Sequence, residues 1–192
     1  MVVPRTNRGD PEGGIVDDTT AARLGRVAEF EAARRATPVT RLLLTVGKTR
    51  GFARVYRALG PAVDPWALRR SRGKLASRVY GLPALLLTTI GRRSGEPRVS
   101  PLLYIRDGDD FVVVGTNFGQ RHHPAWTANL IARPDAEIEV GPERLAVTGE
   151  LVDDADWQRL WPRFVSVYPG YAGYLQRAGG RTPRMFALRP VR

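Results

Sequence analysis

The feature that most limits how this chain can fold is a series of short apolar runs in its middle, separated by turn residues. Residues 85–90 are leucines followed by β-branched residues, and residues 99–105 and 111–114 form two further apolar runs. Runs of this length and composition are typical of buried strands rather than helices. Asp107-Gly108 separates the second run from the third and predicts a hairpin turn. The pattern therefore predicts consecutive antiparallel strands.

Residues 91–98, between the first two predicted strands, are rich in hydrogen-bond donors. Two glycines and a proline favour a turn here, and the segment holds three arginines and a serine against one acid, Glu96. Guanidinium groups bind phosphate through paired, charge-assisted hydrogen bonds. The composition predicts an anion site, above all for a phosphate, and an exposed turn with arginine-rich codon usage is the alternative. The candidate residues are Arg92, Arg93, Ser94 and Arg98.

A polar loop and a short helix follow the third predicted strand. Residues 115–119 carry glycine at both ends, and residues 125–130 are predicted to form a helix with Pro124 in its first turn. A helix N-terminus presents free N–H groups that bind anionic ligand atoms. Within the second strand, Pro101 lacks an N–H group and predicts a sheet edge or a bulge.

The C-terminal half continues the antiparallel pattern and adds helices. Strands are predicted over residues 137–140, 145–151 and 185–188. Asp153 is expected to cap a helix with aromatic residues and leucine on one face, and a short helix follows at residues 171–178. About six antiparallel strands with inserted helices predict a mainly β protein of the α+β class, built as a closed or partly closed barrel.

The N-terminal part differs in composition from the rest. Residues 1–20 are polar and expected to be disordered. Helices are predicted at residues 20–36 and, with arginines between the apolar positions, at residues 52–59. The expected division of the chain is a disordered N-terminus over 1–20, a helical extension over 21–80 and the barrel over 81–192.

The large net charge of the chain is only a weak indication of its function. The formal net charge is +11, from 30 basic and 19 acidic residues, and only Lys48 and Lys74 among the basic residues are lysines. Arginine-rich composition is also typical of GC-rich genomes, so the total charge does not by itself indicate nucleic-acid binding. Residues 48–78 nevertheless hold nine basic residues and one acid, Asp64. This patch could meet an anionic membrane surface, nucleic acid or a polyanionic cofactor. For the helix at residues 52–59 we favour packing on the barrel with solvated arginines, and contact with a membrane surface is the alternative.

Several classes of function lack their sequence signals. The chain has no cysteine, no apolar run of about 18 residues and no signal-peptide core, so a cytoplasmic location is the default. The only histidines, His122 and His123, are adjacent and have no evident third ligand, so no metal site is expected. Motifs for NAD or ATP binding and a serine nucleophile elbow are absent.

Two stretches resemble the deazaflavin (coenzyme F420)-dependent nitroreductase family, which includes F420H2-dependent quinone reductases. The first, over residues 85–140, is LLLTTIGRRSGEPRVSPLLYIRDGDDFVVVGTNFGQRHHPAWTANLIARPDAEIEV, and it contains the family segment Pro-x-Trp-x-x-Asn. The second, over residues 160–190, is LWPRFVSVYPGYAGYLQRAGGRTPRMFALRP. The resemblance is specific because several motifs occur in the family's order. It covers a little over half of the chain.

The resemblance implies a split β-barrel of the FMN-binding type, with the cofactor in a groove on the sheet. It implies an oxidoreductase that passes a hydride from reduced F420 to a quinone, a nitroaromatic or a similar acceptor. Tyr171 and Tyr174 are the expected catalytic residues at the acceptor, and Tyr171 can also contact the cofactor. The expected cofactor contacts are Arg92, Arg93, Ser94, Arg98, Val99, Ser100, Pro101, Leu102, Leu103, Val114, Gly115, Thr116, Asn117, Ala125, Trp126, Thr127, Ala128 and Asn129.

Alternatives stay open at several of these positions. Many relatives have Ser-Lys at the positions of Thr116 and Asn117, so this chain lacks the lysine and its acceptor preference is expected to differ. Trp126 and Asn129 suit structural roles equally well, as a core anchor and as the support of a neighbouring loop. FMN is the alternative cofactor, and a basic module that binds nucleic acid or lipid is the alternative function. We expect a monomer or homodimer, no nucleic-acid partner, and either a cytoplasmic location or peripheral attachment to the inner face of the plasma membrane.

Overall fold

A computed structural model describes residues 18–33 and 82–191 of the chain. Within these ranges it has four α-helices, one 3₁₀ helix and six β-strands. In chain order they are α1 (Asp18–Ala33), β1 (Ala84–Ile90), β2 (Pro97–Asp107), β3 (Asp110–Val114), the 3₁₀ helix (Asn117–Gly119), α2 (Ala125–Ala132), β4 (Asp135–Val140), β5 (Glu143–Leu151), α3 (Asp154–Val167), α4 (Gly170–Arg177) and β6 (Met185–Pro190).

The six strands form a closed antiparallel barrel in the order β1-β2-β3-β6-β5-β4. The first three strands are a meander along the chain, and β6 inserts between β3 and β5. β4 pairs with β1 and closes the barrel. The predicted fold class, a mainly β barrel of about six antiparallel strands with added helices, is confirmed.

Side chains alternate between the barrel interior and its outer surface, as strand geometry requires. On β3, Phe111 and Val113 belong to the interior core, whereas Val112 and Val114 belong to a second core. The second core lies on the outer face of β2, β3 and β6, and α3 and α4 cover it with aromatic and leucine side chains. Those helical residues include Trp157, Leu160, Phe164, Tyr171 and Tyr174.

Two helices complete the interior core from opposite ends of the barrel. Val27 of α1 and both Trp126 and Leu130 of α2 are buried in the same cluster as the inward strand residues. α1 lies by the turn that joins the C-terminal end of β4 to β5, where the guanidinium of Arg26 pairs with Glu143 at 2.7 Å. α2 leads into the N-terminal end of β4. Each helix therefore covers a different end of the barrel.

β2 is shared between two neighbouring strands along its length. Residues 97–103 pair with β1, whereas pairing with β3 begins only at Tyr104, opposite Val113. Among the described strands, the first half of β2 therefore has a partner on one side alone, and Pro101 lies within this half. This local edge confirms the sequence prediction for Pro101, since proline cannot donate to a second ladder.

Most predicted element boundaries agree with the structure. The helix predicted at residues 20–36 corresponds to α1, and the Asp153 side chain caps α3 by accepting from the Asp156 N–H at 2.9 Å. Pro124 differs from the prediction, because it is the extended residue just before α2 rather than part of its first turn. The helix predicted at residues 52–59 and the basic patch at residues 48–78 lie outside the described residues. The division of the chain into three parts stays a prediction.

None of the helices within residues 18–33 and 82–191 is long and apolar enough to cross a bilayer.

α3 is tied to the β2–β3 hairpin by a carboxylate that two arginines share. Asp107 accepts from the Arg159 guanidinium at 2.7 and 2.9 Å and from Arg163 at 2.8 Å. Arg163 also donates to the carbonyl of Arg106. Hydrogen bonds from Arg159, reinforced by Arg163, lower the pKa of Asp107 to about 2. The group therefore stabilises the fold when it is ionised.

We expect Asp107→Asn to lower the free energy of unfolding by about 1 kcal/mol at pH 7, because solvent screens the half-exposed guanidinium groups. A carboxyl with a lowered pKa stabilises the folded state above its ordinary pKa and loses this effect as the pH falls towards about 2. The difference between the variant and the unaltered protein should therefore shrink between pH 4 and pH 2, as measured by urea unfolding. Asp109→Asn, in the same turn, is the matched control. An equal effect of both substitutions would contradict this account.

Candidate active site

The two loops predicted to bind a ligand leave the same end of the barrel. β1 and β3 are both antiparallel to β2, so they run parallel to each other. α2 contacts the loops that follow both strands, through Thr127 and Asn129. The arginine loop, residues 91–96, follows β1, and the glycine loop, residues 115–119, follows β3. α2 covers this end of the barrel. The sequence-predicted phosphate and ring contacts are thus close enough to form one site beside the free edge of β2.

The arginine loop is a compact turn that leaves its cationic side chains in solvent. Gly91 N–H donates to the Glu96 carbonyl and Gly95 N–H donates to the Gly91 carbonyl, both at 2.8 Å. Gly95 has a φ of +71°, which favours glycine at that position. Arg92 and Arg93 are exposed, and neither guanidinium has a hydrogen-bond or ion-pair partner within residues 18–33 and 82–191. Within the described part of the chain, their donors are therefore free for a ligand.

The other polar groups at this loop form hydrogen bonds with one another. The Ser94 hydroxyl accepts from the Glu96 N–H at 3.3 Å and lies 3.5 Å from the Arg98 guanidinium. Arg98 is exposed at the second residue of β2. Ser94 and Arg98 therefore present one joined polar surface at the beginning of the free strand edge.

Asn129 of α2 supports the arginine loop from below. Its side-chain oxygen accepts from the Arg92 N–H at 3.1 Å, and its side-chain nitrogen donates to the Thr89 hydroxyl at 3.0 Å. Asn129 and Thr89 are both buried. A buried amide with both ends occupied fixes the register between α2 and the end of β1. This is the loop support that the sequence suggested, and a direct cofactor contact of Asn129 stays a prediction.

The glycine loop has an unusual backbone. Asn117, Phe118 and Gly119 have φ values of 48°, 54° and 78°, so three consecutive residues are left-handed. For residues other than glycine this conformation costs roughly 1–3 kcal/mol each, and such strain is concentrated at functional sites. The Asn117 side chain donates to the His122 carbonyl at 3.1 Å and closes the loop. The sequence predicted a polar loop here but not its strain.

Gly115 brings the glycine loop against the beginning of α2. A β-carbon at this position would lie 2.8 Å from the Thr127 methyl carbon and 3.2 Å from the Pro124 ring. Thr127 is completely buried, and its hydroxyl donates to the Pro124 carbonyl at 2.9 Å. The close approach explains why glycine is required at residue 115. Thr127 therefore also supports the glycine loop.

Arg181 is a residue of this region that the sequence analysis missed. Its guanidinium donates to the carbonyls of Gln120 at 3.0 Å, Gly115 at 3.2 Å and Thr116 at 2.8 Å. It also lies 3.1 Å from Nδ1 of His123. One side chain thus holds both ends of the glycine loop. The available signal was its position directly after Gly179-Gly180, which are both left-handed and end α4.

The contact with Arg181 fixes the protonation state of His123. A guanidinium only donates hydrogen bonds, so Nδ1 must accept and the ring proton belongs on Nε2. Burial, followed by the charges of Arg184 and Arg181, lowers the pKa of His123. The imidazole is therefore neutral at physiological pH and serves as an acceptor for the arginine.

Tyr171 and Tyr174, the tyrosines predicted near the acceptor, form one buried cluster with Tyr168. Ring centroids of Tyr168, Tyr171 and Tyr174 lie 5.3 to 6.0 Å apart, and the hydroxyls of Tyr168 and Tyr174 are 3.4 Å apart. Burial raises the pKa values of Tyr171 and Tyr174 above the ordinary range for phenols. The ring centroids of Phe118 and Tyr174 lie 5.9 Å apart. The tyrosine cluster therefore borders the glycine loop.

Some of the other residues predicted to contact the cofactor lie at the site, and others belong to the core. Leu102 packs against the interior core and Leu103 against the outer core, whereas Pro101 is exposed and Val99 and Ser100 are half-buried. Val114 and Thr116 are buried, Ala125 is exposed and Ala128 is half-buried. The Trp126 ring lies 5.6 Å from Phe186 inside the barrel. Trp126 is thus the core anchor that the sequence offered as one of two roles.

A six-stranded antiparallel barrel with an arginine loop and a strained loop beside the same strand agrees with the split β-barrel that the resemblance implied. A profile of the F420H(2)-dependent quinone reductase family matches residues 62–186, so this chain belongs to that family. The match confirms the family resemblance found in the sequence. It favours F420 over FMN. It begins at residue 62, within the segment expected to be a helical extension.

Individual relatives agree with this assignment. An F420H(2)-dependent quinone reductase of Mycobacterium tuberculosis is 43% identical over 96 residues, which are 48% of this chain and 64% of that protein. The chain therefore matches less than two thirds of that relative's length. A solved F420-H2-dependent reductase is 28% identical, with a TM-score of 0.52 over 56% of this chain and 94% of its own. A solved domain-swapped dimer is 25% identical, with a TM-score of 0.52 over 64% of this chain and 96% of its own.

We expect Gly115→Ala to destabilise the protein by about 1–3 kcal/mol, because its new β-carbon would overlap Thr127 and press on Pro124. Thr127→Ser removes the nearer methyl carbon and keeps the hydroxyl that donates to Pro124. The double variant should therefore regain part of the lost stability, as measured by thermal unfolding. Additive losses in the double variant would show that the close approach of the loop to α2 is not the cause.

Proposed function

We propose that this protein is an F420H2-dependent oxidoreductase that reduces a quinone or a related electrophilic acceptor such as a nitroaromatic. The observation that carries the proposal is the match of the F420H(2)-dependent quinone reductase family to residues 62–186. The quinone comes from the names of that family and of the M. tuberculosis relative. The identity of the acceptor is the finer part of the proposal.

The donors of the site fit this cofactor. F420 carries a phosphate and an acidic glutamyl tail, and the arginine loop offers two exposed guanidinium groups without an acid partner among the described residues. Next to them, the free edge of β2 carries half-buried apolar side chains at Val99 and Leu103, which lie on the same outer face of the strand. A flat ring system needs such an apolar bed beside a few polar groups.

The roles follow from these positions. When bound, reduced F420 supplies the hydride. Arg92, Arg93 and Arg98 hold the phosphate and the tail through charge-assisted hydrogen bonds, with Ser94 as a further donor. Val99–Leu103 of β2 and residues 114–117 support the ring on its two sides. The protein thus contributes position and electrostatics rather than a covalent step.

Tyr171 and Tyr174 shape the acceptor side of the site. Because burial raises their pKa values, both phenols keep their protons at neutral pH. A neutral phenol donates a hydrogen bond to a quinone or nitro oxygen, which gains charge during reduction. The raised pKa makes either tyrosine a poor acid, so we assign hydrogen-bond donation to them rather than release of the proton.

The other candidate functions have less support. A binding module for nucleic acid or lipid would depend on residues 48–78, which lie outside the described residues. Peripheral attachment to a membrane would bring the protein to a lipid-soluble quinone, and it stays part of the proposal. Retention on anionic vesicles but not on neutral ones would support it. An intrinsic yellow colour of the purified protein would favour FMN.

We expect the double substitution Arg92→Gln and Arg93→Gln to raise the Kd for F420 at least about tenfold, because each guanidinium loses charge-assisted bonds to the ligand. Fluorescence titration of F420 measures this Kd. Arg23→Gln with Arg189→Gln gives the same change in net charge at remote positions on α1 and β6. Equal weakening by both pairs would contradict a specific phosphate site. Failure of the unaltered protein to bind F420 would overturn the proposed function.

We expect Tyr174→Phe to lower kcat/KM for a soluble naphthoquinone about tenfold, the effect of one lost hydrogen bond of about 1.4 kcal/mol. The Kd for F420 should not change, since the phenol faces the acceptor. Tyr104→Phe is the control, because Tyr104 is buried in the barrel interior and its hydroxyl donates to Glu31. A parallel rise in the Kd for F420 would place Tyr174 on the cofactor side instead.

A further inference from the structure

The glycine loop has a conformation that its own sequence does not favour. Asn117 and Phe118 carry side chains and are nevertheless left-handed. The backbone bonds within the loop are short-range, from Gly119 N–H to the Thr116 carbonyl and from Gln120 N–H to the Asn117 carbonyl, both at 3.0 Å. Something outside the loop has to stabilise this arrangement, since strained residues persist only where their surroundings determine them.

Arg181 meets this requirement. Three of its nitrogen atoms serve four acceptors, and the acceptors come from both sides of the left-handed turn. All three oxygen acceptors are main-chain carbonyls, so the contacts set backbone geometry directly. A guanidinium presents its donors in one rigid plane, which suits a fixed set of carbonyls better than a flexible ammonium does.

The position of Arg181 is itself specified by the chain around it. Gly179 and Gly180 have φ values of +64° and +85° and turn the chain away from α4. Gly119 lies so close to α4 that a β-carbon would come within 2.8 Å of the Tyr174 carbonyl. Burial and the neighbouring charge of Arg184 lower the pKa of Arg181 without removing its proton. The buried charge is thus compensated by carbonyl dipoles, and none of its acceptors is an acid.

We propose that Arg181 is a positioning residue that holds the glycine loop in its left-handed conformation, ready for the cofactor ring. The proposal rests on the proposed function for the identity of the ligand but not for the state of the loop. Arg181 acts through the carbonyls of Gly115, Thr116 and Gln120, and the neutral His123 completes its set of acceptors. The side chain does not itself contact the reacting atoms.

Amide hydrogen exchange of the ligand-free protein tests the effect on the loop. In Arg181→Met we expect exchange at Gly119 and Gln120 to accelerate at least about tenfold, since losing a bond to a charged group exceeds the 1.4 kcal/mol that corresponds to this factor. Amides of α3 should not change. Arg121→Met is the matched control, because Arg121 is exposed and forms no hydrogen bond to the loop carbonyls. Unchanged exchange at Gly119 and Gln120 would overturn the proposal.

A conservative substitution of Arg181 distinguishes the effect of side-chain geometry from the effect of charge. Arg181→Lys keeps the positive charge but loses the planar fork, so it should resemble Arg181→Met in exchange and in its Kd for F420. Methylguanidinium added to Arg181→Ala should restore part of the F420 affinity. Full activity of the lysine variant would overturn the proposal in favour of charge alone. Faster exchange with an unchanged Kd would overturn a role in cofactor binding.

A different measurement shows whether the proposed function is wrong. If the unaltered protein does not bind F420, the assignment as an F420-dependent enzyme falls. The exchange experiment still decides whether Arg181 holds the loop, because it needs no ligand.

Discussion

The division of β2 between two neighbours is the constraint on which the rest of the structure depends. Its first half pairs with β1, and only its last four residues pair with β3. β1 and β3 therefore separate at one end of the barrel, with a free strand edge between the loops that follow them. α2 connects both loops, because Thr127 packs under Gly115 and Asn129, two residues further along the helix, binds the Arg92 N–H.

The same packing connects the cofactor side of the site with the acceptor side. Phe118, held left-handed in the glycine loop, lies against Tyr174, and Tyr174 belongs to the aromatic cluster beneath α3 and α4. A change in the loop would therefore be transmitted to the tyrosines through direct ring contact. Well-packed cores transmit strain in this way because they deform little.

Only those parts of this architecture that depend on short-range sequence patterns could be predicted from the sequence. The strands, the Asp153 cap and the turns follow from short-range periodicity and from glycine and proline, so their predictions were confirmed. The resemblance supplied the class of cofactor. The role of Arg181 could not be predicted, because its acceptors lie 58 to 66 residues away in the chain. The strain at Phe118 was equally hidden, since phenylalanine does not indicate a left-handed backbone, and asparagine at 117 tolerates this conformation without requiring it.

Arginine has opposite roles on the two sides of the free edge, and the surroundings rather than the residue type decide between them. Arg92 and Arg93 are exposed and lack an acid partner in the described part of the chain, so their donors remain available to an anion. Arg181 is half-buried, and carbonyls occupy its donors, so it acts on the backbone. In a chain with 30 basic residues, composition cannot distinguish these roles. A guanidinium is available to a ligand only where no carbonyl or carboxylate already occupies it, and Arg92 and Arg93 meet this condition within the described residues.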